Sequence, residues 1–290
     1  MRLSLAGSLV HPDPLVVRFD ANQSFVASDY IDLGYTHFEV ICIGAGGGMG
    51  GGIDTANSGT LIRSYGGAGG GGGYHRVRGL LSALPATCPV VVGVGGSLGT
   101  EHASNPASTT DGGDGGASSF NDPTCRASGG KGGKRVQSNS LTVTTQAHGG
   151  DGGVGNRTIA GGGASGGLAG TPTATGPGTL GSAGADGTII NDVGKGGGGG
   201  AGGVGKYGGV TCNAATAGGR GSYNPGDTSV YGPGDLPDND ASSGAANIKP
   251  GGASGAKASP LNGIPTVYGQ SKGVRAVGDP GVVVLRLTAE

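Results

Sequence analysis

Residues 129–134 read GGKGGK, residues 112–118 read GGDGGAS and residues 149–155 read GGDGGVG. Each stretch repeats two glycines and one other residue. A polyproline II type helix has three residues per turn, so this spacing puts every non-glycine residue on one edge and leaves two edges without side chains. Bare edges let backbones approach closely enough for the N–H and C=O groups of one tract to bond to its neighbours, as buried backbone requires. The spacing is that of a bundle of polyglycine II helices, with disordered or irregular glycine loops as the other reading.

The whole chain is built around such stretches. Glycine accounts for 72 of the 290 residues and gathers into runs at 44–52, 66–73 and 194–203. Glycine loses more freedom on folding than any other residue, so runs of this kind stay disordered unless glycine-specific contacts order them. Collagen does not fit, because it needs glycine strictly at every third position and abundant proline, and the chain has only 15 prolines. As a polyglycine II helix, the run at 194–203 would span roughly 30 Å.

Between the runs lie segments dense in β-branched and apolar residues. Residues 35–43 (YTHFEVICI), 89–94 (PVVVGV) and 281–287 (GVVVLRL) are expected strands at the start, middle and end of the chain. Weaker strand signals fall at 3–10, 15–19, 74–78, 117–120 and 141–145. No helical periodicity persists beyond a turn, so almost no helix is expected. The fold class expected is all-β: a sandwich-like base carrying glycine-rich loops and polyglycine II helices. Residues 1–34 are expected to form an N-terminal strand and docking segment, and 35–290 a glycine-rich domain closed by the last strand.

Composition narrows the function. Aromatic residues make up 4% and charged residues 13%, with 18 Lys and Arg against 19 Asp and Glu. This balance argues against a disordered polyelectrolyte and against a nucleic-acid binder with a basic face. No signal peptide and no apolar run of membrane-spanning length is visible, so a soluble chain made in a cytoplasm is expected. Cys42, Cys88, Cys125 and Cys212 form no metal-binding spacing. Four free thiols are expected, the even count leaving disulfides open.

Glycine-defined motifs lose weight in a chain one-quarter glycine. Gly46, Gly48 and Gly51 satisfy G-x-G-x-x-G after a strand, but IDTANSGT follows in place of the helix that would hold a pyrophosphate. Residues 200–207 (GAGGVGKY) resemble a phosphate loop, yet Tyr207 stands where a magnesium-binding hydroxyl belongs, which leaves Lys206 as a solvated side chain. Ser97 and Ser165 each match G-x-S-x-G without a following helix, and are read as turns even though His102 lies close to Ser97. Residues 181–189 approximate one calcium β-roll unit, and a single unit cannot stack. The five histidines share no ligand spacing. Neither an enzymatic activity nor any cofactor or metal is expected.

The order of elements carries a resemblance. A strand ending in GAGGGxGGG, then GGAGGGGGYHRV, VVVGVGG, DGGDGGASSF, ASGGKGG, GKGGGGGAGG and finally GVVVLRL resembles the glycine-rich domain of minor tail and tail-tip proteins of bacteriophages, of the kind found in actinobacterial phages. The likeness covers about residues 19–287, although the strand-poor stretch at 141–270 departs from the commonest pattern. It implies a structural virion protein of β-strands and glycine helices at the tail tip, often serving host attachment. It also implies other tail-tip proteins as partners, with a homo-oligomer, a trimer by tail symmetry, and a host-envelope glycan or protein as further candidates. Adhesin and purely structural subunit stay open. A bacterial cell-surface glycine-rich structural protein is the first alternative, and an enzyme with a Ser97 nucleophile the second.

Recognition is expected where aromatic residues interrupt the glycine. Tyr207, Tyr223, Asn224, Tyr231, Asp235 and Tyr268 lie among Gly, Asn, Asp and Pro, the composition of recognition loops, and the other reading is that these tyrosines cap a glycine bundle. Proline and turn pairs across 223–239 make that stretch the expected exposed tip.

Overall fold

A computed structural model of the chain describes residues 11–51, 53–57, 60–64, 66–100, 109–135, 137–139, 142–145, 148–155, 185, 189–190, 193–194, 204–207 and 277–289. Among them the protein is mostly β, with one short helix, α1 (Ala27–Ile31), and one 3-10 turn at Leu81–Ala83. Gly34, at φ 93°, turns the chain out of α1 into the next strand, a conformation that favours glycine.

The first sheet is antiparallel and begins with β1 (Leu15–Phe19) at one edge, followed by β15 (Val282–Thr288), β3 (His37–Ile43) and β6 (Tyr74–Leu80), in that order. Two short strands, β13 (Val193–Gly194) and β12 (Ile189–Ile190), extend it beyond β6. The last strand of the chain thus sits inside the sheet, with Leu285 opposite both Val17 and Val40. The second sheet is also antiparallel: β2 (Gln23–Val26), β7 (Thr87–Val91), β8 (Ser118–Phe120) and β9 (Cys125–Ala127). A hairpin of β4 (Ile53–Asn57) and β5 (Thr60–Ser64) pairs with β14 (Val204–Tyr207), and β10 (Gln137–Asn139) pairs with β11 (Thr142–Thr145).

The two main sheets form a sandwich. Alternate residues of the first sheet, including Phe38, Val40, Val283 and Leu285, face Phe25, Val90 and Phe120 of the second across one buried core. Phe120 lies between Phe25 and Phe38, with ring centroids 5.6 Å and 6.3 Å away, separations typical of favourable aromatic pairs. The all-β, sandwich-like expectation holds, and the core is small because only short strands feed it.

Strand boundaries shift by up to three residues where glycine takes over. The expected strand at 89–94 is β7, which begins at Thr87 and ends at Val91. Beyond it the backbone leaves the ladder: Val92 N–H donates to Asn22 Oδ1 at 2.7 Å and Gly93 N–H to Ser118 Oγ at 3.0 Å. The weaker signals at 15–19, 74–78, 117–120 and 141–145 correspond to β1, β6, β8 and β11. The expected strand at 3–10, the run at 195–203 and the tip at 223–239 lie outside the described residues.

Candidate functional site

Seven glycine tracts continue from these strands: tract 1 (44–51), tract 2 (66–73), tract 3 (93–100), tract 4 (110–116), tract 5 (128–134), tract 6 (148–154) and tract 7 (277–281). Strand pairing hands its register directly to them. Ile43 is opposite Tyr74 in the β3–β6 ladder, and the next step is Gly44 N–H to Gly73 O at 2.9 Å, then Gly47 to Gly70 and Gly50 to Gly67. The bonds recur every third residue, as a helix with three residues per turn requires. The same continuity links β7–β8 to tracts 3 and 4, where Gly116 N–H reaches Val94 O at 2.8 Å. It links β8–β9 to tracts 4 and 5, and β15–β3 to tracts 7 and 1.

Tract 1 is the hub. Gly44, Gly47 and Gly50 donate to tract 2, Ala45, Gly48 and Gly51 to tract 4, and Gly46 to Asp279 of tract 7. In return Ala45 and Gly48 accept from Gly130 and Gly133 of tract 5, both at 2.9 Å, while Gly46 and Met49 accept from Gly96 and Gly99 of tract 3. One tract therefore bonds to five others, joining tracts that leave both sheets. This is the polyglycine II arrangement that the GGX spacing predicts.

Glycine is obligatory here for want of room. A β-carbon built on Gly47 would overlap the carbonyl oxygen of Lys131, and one built on Gly133 would overlap that of Gly67. The lattice also accounts for the glycine decoys. The N–H groups of Gly46, Gly48 and Gly51 are bonded to carbonyls and cannot cradle a phosphate. Ser97 belongs to tract 3, and its carbonyl accepts from Gly113 at 2.8 Å. Lys206 lies on β14, opposite Ile62.

The side chains on the remaining edge form a charged ladder. Asp111 and Asp114 of tract 4 stand at three-residue spacing opposite Lys134 and Lys131 of tract 5. Lys131 Nζ lies 2.7 Å from Asp114 Oδ2, and Lys134 Nζ lies 3.1 Å from Asp111 Oδ2. The second oxygen of each carboxylate accepts a backbone N–H, from Gly132 to Asp114 and from Arg135 to Asp111, both at 2.9 Å. Arg135 also donates through its guanidinium to Thr109 O at 2.7 Å. Partial desolvation raises both carboxyls, but it is outweighed at Asp111 by the Arg135 N–H and Lys134, and at Asp114 by Lys131 and the Gly132 N–H. Both are held below the usual carboxylate value.

A second feature lies on the outer face of the first sheet. His37 and Glu39 of β3, Arg78 of β6, and Arg286 and Thr288 of β15 line a groove of about 290 Å³. Glu39 sits between Arg286 and Arg78 in the strand register and bonds to the Arg78 guanidinium. Further along that face Ile41, Ile43, Tyr74, Val282 and Val284 form a buried apolar cluster, flanked by half-buried Arg18 and Arg76.

Of the sequence-derived recognition residues, Tyr207 closes β14 opposite Leu61. Tyr223, Asn224, Tyr231, Asp235 and Tyr268 lie outside the described residues. The charged ladder was not anticipated, although its signal is present: Asp and Lys repeat at the same three-residue interval in two neighbouring tracts. Cys42, Cys88 and Cys125 are buried free thiols.

No curated protein matches the chain. The strands feeding glycine tracts, from β2 to the end of β15, nearly coincide with residues 24–288, which match the sequence model of a family described as a glycine-rich domain, and the chain belongs to that family.

Proposed function

We propose that the chain is a structural protein of a bacteriophage virion, a minor tail protein at the tail tip. The observation that carries this reading is the lattice itself. Its tracts are joined by backbone bonds in several directions, so a load on one tract is shared by its neighbours without needing a large apolar core. A device that must stay rigid outside a cell gains from such a scaffold, and the order of strands and tracts resembles that of tail-tip proteins.

In this reading the sandwich docks to other tail-tip proteins or to further copies of the chain, with a trimer matching tail symmetry. The lattice then holds tyrosine-bearing loops toward a host-envelope glycan or protein. Tyr223, Asn224, Tyr231, Asp235 and Tyr268, with Tyr207 at the end of β14, would supply that contact. No catalysis and no cofactor is needed. Immunoelectron microscopy of purified phage particles tests the assignment: antibody against this chain should label the distal end of the tail. Label confined to a bacterial envelope, with none on particles, would favour a cell-surface protein instead.

A further inference from the structure

Cys42 of β3 and His75 of β6 are opposite each other in the ladder, on the face turned to the second sheet. Cys125 of β9 meets them across the sandwich, where its thiol donates to the His75 carbonyl at 3.3 Å. Cys42 and Cys125 belong to the same buried core cluster, where β3 packs against β9, and both residues have no solvent exposure. Cys88 is occupied elsewhere, donating to the Pro85 carbonyl at 3.6 Å.

Metal binding does not suit this cluster. His75 Nδ1 already accepts the Arg126 N–H at 3.1 Å, and among the described residues no group of three His, Cys, Asp or Glu side chains could hold an ion. Two buried thiols set against the same strand pair, one on Cys42 and one on the carbonyl of the residue opposite it, retain one chemistry without a third ligand, oxidation to each other. We infer that Cys42 and Cys125 form a disulfide between the two sheets when the folding chain meets a small disulfide oxidant such as oxidised glutathione.

The exchange proceeds in two displacements. The Cys125 thiolate attacks one sulfur of the oxidant, whose S–S bond breaks and releases a small thiolate. Cys42 then loses its proton and attacks the Cys125 sulfur, expelling the second small thiolate. The protein gives up two protons and two electrons, and the oxidant becomes two thiols. The same product forms if Cys42 attacks first and Cys125 resolves the mixed disulfide. Because both sulfurs are sealed in the core, the bond closes as the sandwich assembles. It would join the sheets just before tracts 1 and 5 depart, where Gly130 N–H meets Ala45 O.

The test is to refold the full chain in reduced and oxidised glutathione and map the soluble product under non-reducing conditions. Trypsin combined with an aspartate-directed protease separates Cys88 from Cys125 by cutting near Asp111, Asp114 and Asp122. A peptide linking Cys42 to Cys125 is expected, with thiol titration in denaturant falling by two from the four of the reduced chain. The linked peptide should be absent from Cys42→Ser. If oxidative refolding gives only aggregate, the reduced folded chain treated with diamide should yield the same linked peptide slowly. A soluble product with both cysteines free, or with either joined to Cys88 or Cys212, overturns the inference, as does failure of diamide to link them.

Discussion

Asp114 and Lys131 grip one another across two antiparallel glycine tracts, with Lys131 Nζ 2.7 Å from Asp114 Oδ2 while the other carboxylate oxygen takes the N–H of Gly132. One rung lower, Asp111 and Lys134 repeat the arrangement with Arg135 N–H. Backbone bonds alone would let a glycine tract slide by three residues and bond equally well. The two rungs penalise that slip, because displacement would leave charges unpaired.

The rungs make stability pH-dependent. The folded carboxyls lie below their unfolded value of about 3.9, so their contribution is complete above that value and fades as pH falls through the lower folded pKa. The ladder side chains are roughly half exposed, so screening limits each rung to about 0.5 kcal/mol. Asp111→Asn with Asp114→Asn should cost about 1 kcal/mol at pH 7 and nothing near pH 2. Denaturant titration at both pH values measures this, and an equal loss at both would exclude the charges as its source.

Gly47→Ala should cost about 3 kcal/mol or more, since its methyl overlaps the Lys131 carbonyl and tracts 1 and 5 must part, with loss of backbone bonds. Lys131→Ala, on the open edge of the same tract pair, should cost less than about 1 kcal/mol. Chemical denaturation of both variants provides the comparison. Equal costs would mean that the lattice is loose at this point.

Ser118→Ala removes a buried hydroxyl that accepts the Gly93 N–H where β7 gives way to tract 3. The orphaned donor should cost about 1–3 kcal/mol. Hydrogen exchange should locate the loss, with Gly93 and Gly281 exchanging faster, because Gly281 N–H bonds to Gly93 O. Uniform acceleration across the sandwich would point to global destabilisation.

Leu285→Ala should cost about 2–5 kcal/mol, because its side chain is fully buried between the sheets. Thermal or urea unfolding reads the loss directly. A cost below about 1 kcal/mol would be incompatible with β15 as an interior strand of the core.

If the tyrosine-bearing segments contact a host, Tyr223→Ala with Tyr231→Ala should lower phage adsorption by about tenfold, the equivalent of 1.4 kcal/mol of binding, and leave particle yield unchanged. Adsorption assays on intact cells decide it. Unchanged adsorption would assign the tip a structural role alone.

The sequence was most readable where one physical rule acted alone. The GGX spacing forecast the three-residue hydrogen-bond period, and VVVLRL could only be a buried strand. Less readable were β2 (QSFV) and β9 (CRA), which are too short and mixed for propensity to detect and are held by pairing to β7 and β8. The partner of each tract was also hidden, since glycines are chemically identical. Strand register supplies that information: Ile43 opposite Tyr74 determines that Gly44 meets Gly73.

That inherited register restricts how such a chain can change over generations. Each tract presents one edge to each neighbour in turn, so inserting one residue rotates every following edge by a third of a turn onto the wrong partner. Tracts anchored to strands at one end can therefore lengthen or shorten smoothly only in triplets of residues. The length of the glycine arms is free to drift in those steps while the sandwich at their base stays the same.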